Sequence, residues 1–124
     1  MVQDIQFAIF EIPVAIPAIS IELIERLNQA GPFGAGAAAP RFAVPFVKIS
    51  FVKEVGEGHL KFTLTDDNMG RLDAIFFNAK ETAAGQALED HAGRAFHLIG
   101  RLDINEFRGK RSVQLIIEDA ALVA

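Results

Sequence analysis

Basic side chains concentrate near the carboxyl end of a chain that is acidic overall. The formal net charge of the 124 residues is −4. Between positions 94 and 111, Asp103 and Glu106 are outnumbered by five basic residues: Arg94, Arg101, Arg108, Lys110 and Arg111. Clustered guanidinium and ammonium groups bind phosphate oxygens, so this segment could contact a nucleic-acid backbone. The negative total charge taken alone argues mildly against such a function.

Phe107 is a large aromatic side chain at the predicted turn of this basic segment. Phe107 lies between Glu106 and Arg108, where the sequence predicts a hairpin turn in which Gly109 can adopt a positive φ. A ring at such a tip could stack on a nucleobase, a contact worth about 1–3 kcal/mol. The preferred interpretation is that the ring folds back onto its own domain or a neighbouring one. The other ten Phe are expected in core or linker packing.

Residue types that support metal or nucleophilic catalysis form no recognisable pattern. Cys is absent, and His59, His91 and His97 are dispersed along the chain. Asp66 and Asp67 precede a turn glycine and lack a His partner, which makes a poor transition-metal site. We therefore predict no catalytic residue, no metal ligand and no cofactor in this chain.

The periodicity of apolar residues predicts a mainly β fold. Alternation begins at Arg41 and changes phase near Phe46, which indicates a bulge in one long strand that runs on through Phe51. The third strand, with Ile75 and Phe77, is expected to be nearly buried on both sides. A short helix is predicted at 80–91, and four further strands at 59–64, 71–78, 96–104 and 113–117.

Five strands with a helix between the third and the fourth are the layout of an OB-fold barrel, and a long, kinked first strand fits its closure. We place this barrel at 31–124. Residues 1–30 are predicted to form an N-terminal strand, a linker interrupted by Pro13 and Pro17, and a short helix capped by Ser20. This segment either packs on the barrel or is the remnant of a junction with a missing catalytic domain.

Four stretches in order resemble the C-terminal OB domain of RecJ, a single-strand-specific DNA exonuclease of the DHH phosphoesterase superfamily. They are residues 32–36 with 40–42, 59–64, 74–77 and 100–119, the last of which begins Gly-Arg-Leu-Asp-Ile-Asn-Glu-Phe-Arg-Gly-Lys-Arg. The resemblance runs from about Leu27 to Asp119. One departure is that Ala37 and Ala38 follow Gly36, where the family often continues Gly-Asn-Pro.

The resemblance implies a role in DNA repair and recombination. RecJ degrades single-stranded DNA from the 5′ end with divalent metal, Mn²⁺ or Mg²⁺, held by Asp and His residues of its DHH domain. None of that domain's motifs occurs in this sequence. The resemblance therefore implies a DNA-binding part whose partners are single-stranded DNA and a catalytic DHH domain.

OB barrels usually bind nucleic acid on their second and third strands and on the loops one–two and four–five. The candidate DNA-binding residues are Lys61, Arg71, Arg101, Asn105, Phe107, Arg108, Lys110 and Arg111. Taken singly, Arg101, Lys110 and Arg111 are as readily surface charges or ion-pair partners of Asp103 and Glu106, whereas as a cluster with Lys61 and Arg71 they favour phosphate contact.

Two other functions stay open, and the sequence also indicates a cellular location. One is a structural or protein-interaction domain that uses residues 5–16 and Phe107 as its contact surface. The other is an OB domain from a different nucleic-acid protein, such as a tRNA-binding module. With no membrane span and no secretory signal in the sequence, the cytoplasm is the expected location, and absent Cys agrees with it.

Overall fold

The computed structural model of the chain describes residues 11–30 and 40–123. The predicted alternation at 5–9 and the glycine-containing loop at 31–39 lie outside these residues. In the described part, the strands are β1 Glu11–Pro13, β2 Arg41–Val55, β3 His59–Thr65, β4 Arg71–Phe76, β5 Ala95–Phe107 and β6 Lys110–Leu122. The helices are α1 Ile21–Ala30 and α2 Ala83–Glu89, with 3-10 turns at Ile16–Ala18 and Ala79–Glu81.

Strands β2 to β6 close into a barrel. The sheet order is β1-β2-β3-β4-β6-β5, and β5 pairs in addition with β2. β4 and β6 run parallel, whereas the other pairs of the barrel are antiparallel. With α2 between β4 and β5, this confirms the predicted OB fold. β1 adds a short parallel strand beside the start of β2.

The long β2 takes part in both halves of the barrel wall. Its first half pairs with β5 and its second half with β3. The register with β5 shifts between Val44 and Val47, and Phe46 has a φ of 54°. This is the predicted bulge, which bends the strand and lets it pass from one neighbour to the other.

The barrel core follows the period of two that the sequence predicts. Leu60, Phe62 and Leu64 are buried, and the residues between them are not. Leu88 of α2 enters the same core. That helix begins at Ala83, three residues later than predicted, because Thr82 accepts the Gly85 N–H as its cap.

A second helical segment closes the barrel near the turn between β3 and β4. Ile16 belongs to the buried core, and a Cβ added at Gly70 would lie 2.9 Å from it. Ser20 caps α1 as predicted, since its Oγ accepts the Leu23 N–H. The described part of the N-terminal segment therefore packs on the barrel. The division at residue 30 stays a prediction.

Three aromatic residues are more exposed than predicted. Phe46, Phe51 and Phe77 are 50%, 54% and 51% exposed, so their assignment to core or linker packing is wrong. Phe77 lies just beyond β4, where Asn78 adopts a left-handed conformation with φ 56° and the chain turns away. Ile75 is only half-buried.

None of the helices in the described ranges is long and apolar enough to cross a membrane.

Candidate nucleic-acid interface

The outward side chains of β2, β3 and β4 form a continuous surface, which we call the β2–β4 face. Register pairs Lys53 with Lys61 and Lys61 with Ile75 in one row across the strands. The next row joins Phe51, Thr63 and Asp73. Lys48 and Arg71 lie on the same face nearer the strand ends. The residues of the face are therefore Lys48, Phe51, Lys53, Lys61, Thr63, Arg71, Asp73 and Ile75.

Phe51 reaches this face because of a second bulge in β2. The phase of Val47 and Ile49 predicts an inward Phe51, and both of those residues are indeed buried. The register with β3 shifts between Ile49 and Phe51, which turns the Phe51 ring outward. No residue pattern in the sequence marks this bulge, so sequence reasoning missed Phe51.

A second aromatic group lies at the edge of the β2–β4 face. The rings of Phe77 and His59 meet at 76°, with centroids 5.5 Å apart. Nδ1 of His59 accepts the Asn78 N–H at 2.9 Å, which fixes the orientation of the imidazole. Two half-exposed Phe rings therefore accompany the lysines of this face.

The positive charges of the face are not neutralised by acidic neighbours in the described residues. Lys48, Lys53, Lys61 and Arg71 form no ion pair within the described ranges. Asp73 is the acidic side chain of the set. The structure thus places the predicted Lys61 and Arg71 on one face, four residues apart along the paired strands, and adds Lys48 and Lys53, which sequence reasoning passed over.

Arg101 lies in the same row as Lys61 but is held by a carboxylate. Two paired strands separate it from Lys61, a span of about 14 Å along the curved wall. Its Nε is 3.0 Å from Oε2 of Glu118. The other carboxylate oxygen, Oε1, is 2.8 Å from Arg41 Nε, but the N–H of Arg41 Nε does not point at it, so this contact is an ion pair without a hydrogen bond. Of the two alternatives to phosphate contact, an ion pair is the one observed for Arg101, but its partner is Glu118 and not Asp103 or Glu106.

Arg111 is also engaged in an ion pair. Its Nη2 donates to Oε2 of Glu25 in α1 over 3.1 Å. Both side chains remain nearly half exposed, so the pair contributes little to stability. Glu106 lies opposite Arg111 in the register, but the charge partner is Glu25.

The β5–β6 hairpin carries the remaining predicted residues, which are Asn105, Phe107, Arg108 and Lys110. Arg108 and Gly109 have φ of 53° and 76°, the two positive values that a two-residue hairpin turn requires, and this confirms the predicted turn. Phe107 is 65% exposed, with the Arg108 guanidinium 5.1 Å from its ring centroid. Folding back onto the barrel is therefore wrong for this ring. Lys110 is exposed, and Asn105 is half-buried opposite Ser112.

The turn between β2 and β3 is held by charge-assisted contacts. Oε2 of Glu54 accepts the Gly58 N–H at 3.1 Å, and Oε1 lies 3.3 Å from Lys80 Nζ. These bonds lower the pKa of Glu54, the backbone bond most and the lysine next.

Within the part of the chain that the structure describes, no three His, Asp or Glu side chains cluster as a metal site.

The chain is similar to a known protein family and to curated relatives. The family described as "RecJ OB domain" matches residues 10–119. The single-stranded-DNA-specific exonuclease RecJ of Salmonella typhimurium is 38% identical over 108 residues, and that of Dickeya dadantii is 39% identical over 106. These matches cover 86% and 85% of this chain but only 18% of each relative.

The solved structures similar to this chain are more distant in sequence. The mitochondrial single-stranded DNA binding protein Rim1 of S. cerevisiae gives a TM-score of 0.47 at 13% identity, covering 66% of this chain and 90% of that one. The S. pombe Stn1–Ten1 complex gives 0.47 at 19% identity, covering 67% and 57%. The family match extends over most of the chain, from β1 almost to the end of β6, and the chain belongs to the RecJ OB domain family.

Proposed function

We propose that this chain is the single-stranded-DNA-binding domain of a RecJ-type 5′–3′ exonuclease that acts in DNA repair and recombination in the cytoplasm. Its family membership and its similarity to single-stranded-DNA-specific exonucleases support this. The chain spans only 18% of the length of the Salmonella and Dickeya relatives. We assign strand cleavage, and the Mn²⁺ or Mg²⁺ it uses, to a DHH domain outside this stretch.

The observation that carries the proposal is the composition of the β2–β4 face. Single strands bind where a positive surface follows the phosphates and aromatic rings stack on the bases. Lys53 and Lys61 are opposite each other on neighbouring strands, with Phe51 in the next row and Phe77 at the edge. Both rings are half exposed, so each can present a face to a base without rearrangement.

Fluorescence anisotropy with labelled oligo-dT at low salt tests this function. Phe51→Ala and Phe77→Ala should each weaken binding by about 1–3 kcal/mol, which is roughly fivefold to a hundredfold in affinity. Phe46→Ala is the matched control, because Phe46 is equally exposed but lies on the side of the barrel near His97. A flat titration of the unaltered chain, or equal losses for all three variants, would contradict the proposal.

A protein-interaction role is the second candidate, and a separate apolar patch favours it. Phe46 lies against His97, which pairs with Ala121 in the register, and the neighbouring Leu122 is 47% exposed. This patch lies beside β5 and meets the β2–β4 face at Lys48, two residues along β2 from Phe46. Light scattering that shows a dimer lost in Phe46→Ala, together with no oligonucleotide binding, would support this function instead.

A further inference from the structure

A cleft opens where the parallel strands β4 and β6 separate. Their pairing covers Asp73 to Ile75 on β4, so Leu72 and Val113 face each other without a ladder. Ile16 and Ile19 of the N-terminal segment complete an apolar lining, and Arg71, Asp73 and Ser112 supply the polar groups. The cleft has a volume of about 450 Å³ and is open to solvent, which is enough room for a small heterocycle.

The position of Asp73 ties the cleft to the β2–β4 face. Asp73 stands in the row of Phe51 and Thr63 and also lines the cleft. A single strand lying along the face would therefore pass the mouth of the cleft. This carboxylate repels phosphates and can accept hydrogen bonds from a ligand group that carries N–H donors.

Exocyclic amines of nucleobases are such donors. Carboxylates accept from the N4 amine of cytosine, whereas thymine presents a carbonyl oxygen at the same position. Asp73 is exposed and has no ion pair or hydrogen bond to its side chain within the described ranges. Its oxygens can therefore accept from a bound base, while the apolar lining packs against the ring.

We propose that the cleft binds one nucleobase of the single strand and selects bases that carry an exocyclic amine, with Asp73 as the acceptor. Arg71 at the rim would hold the neighbouring phosphate, and Ser112 can donate to a ring carbonyl. The inference rests on the proposed single-strand binding and deepens it, because it adds a base preference to a domain that otherwise reads only backbone and stacking.

The test compares oligo-dC with oligo-dT, whose rings are similar in size. The unaltered chain should bind oligo-dC about fivefold or more tightly. Asp73→Ala should bring the affinity ratio close to one, although the loss of a negative charge raises both affinities. Asp103→Ala removes an equal charge two strands away and outside the cleft, so it should leave the ratio unchanged.

A modified ligand gives a second readout that does not depend on folding of a variant. Oligonucleotides of N4,N4-dimethylcytosine have no amine N–H and should bind the unaltered chain like oligo-dT. Equal binding of oligo-dC and oligo-dT, or a ratio that survives Asp73→Ala, would overturn the base pocket and leave single-strand binding intact. Failure of both oligonucleotides to bind would instead overturn the proposed function.

Discussion

The backbone N–H of Phe46 donates a hydrogen bond to Nδ1 of His97 over 3.2 Å. The two rings also meet edge to face, with centroids 4.5 Å apart. Because Nδ1 must be unprotonated to accept this bond, the bulge of β2 is fixed by a neutral imidazole. Burial of His97 lowers its pKa below 6.5, which favours that neutral form.

Stability should therefore depend on His97 in mildly acidic solution. Because the pKa of His97 is depressed in the folded state, the unfolded chain binds the proton at a higher pH than the folded chain does. The contribution of neutral His97 to the free energy of unfolding is therefore complete above about pH 6.5 and is lost as the pH falls towards the folded-state pKa. Urea unfolding of the unaltered chain should show this loss, and His97→Gln should flatten the profile. The pKa of Glu54 is lowered from 4.5, so its contribution to the free energy of unfolding is lost only at lower pH. An unchanged profile in His97→Gln would refute the assignment.

Salt dependence should separate the free cations from the paired ones. Each phosphate contact on a single strand contributes about −0.7 to the slope of log affinity against log salt. Lys61→Ala should reduce the steepness by about that amount. Arg101→Ala should change the slope less, because the Arg101 guanidinium is already held by the Glu118 carboxylate, which it shares with Arg41. The measurement is anisotropy over a salt series, and equal changes for both variants would show that the ion pair opens on binding.

Glu118→Gln offers the converse experiment. The substitution releases Arg41 and Arg101, both of which now lie within 3.0 Å of the carboxylate. We expect tighter binding and a steeper salt slope than in the unaltered chain. Unchanged affinity and slope would place Arg101 outside the interface, contrary to its selection as a DNA-binding candidate.

The hairpin tip should matter for binding and not for folding. Phe107 is 65% exposed, so Phe107→Ala should change the free energy of unfolding by less than about 0.5 kcal/mol. The same variant should weaken oligonucleotide binding by about 1 kcal/mol or more if the ring stacks on a base. A marked loss of stability with unaltered affinity would give the ring a packing role instead.

Gly100 should be among the least replaceable residues of the barrel. A Cβ at this position would lie 2.0 Å from the carbonyl oxygen of Ile116, which belongs to the paired strand β6. Gly100→Ala should cost about 3 kcal/mol or more in urea unfolding. The control Gly93→Ala has open space around it and should cost only the left-handed strain, about 1–2 kcal/mol. Similar losses for the two variants would show that β5 and β6 separate easily.

The strand order and the barrel were predictable because they depend on periodicity over many residues. Leu60, Phe62 and Leu64 alternate strictly, and Arg108 with Gly109 has the chemistry of a tight hairpin. The outward position of Phe51 was not predictable. The register shift at Ser50 turns the Phe51 side chain from the core to the surface, and no residue type in the sequence marks that shift. Ion pairs such as Arg111 with Glu25 join residues far apart in sequence, and only the packing of α1 brings them together.

The most direct test of the central claim is an NMR titration of the isotopically labelled chain with oligo-dT. If the β2–β4 face binds single strands, the largest backbone amide shifts will fall on β2 after its second bulge, on β3 and on β4, around Phe51, Lys61 and Asp73. Shifts confined to the patch around Phe46 and His97, or no shifts at low salt, would contradict the account.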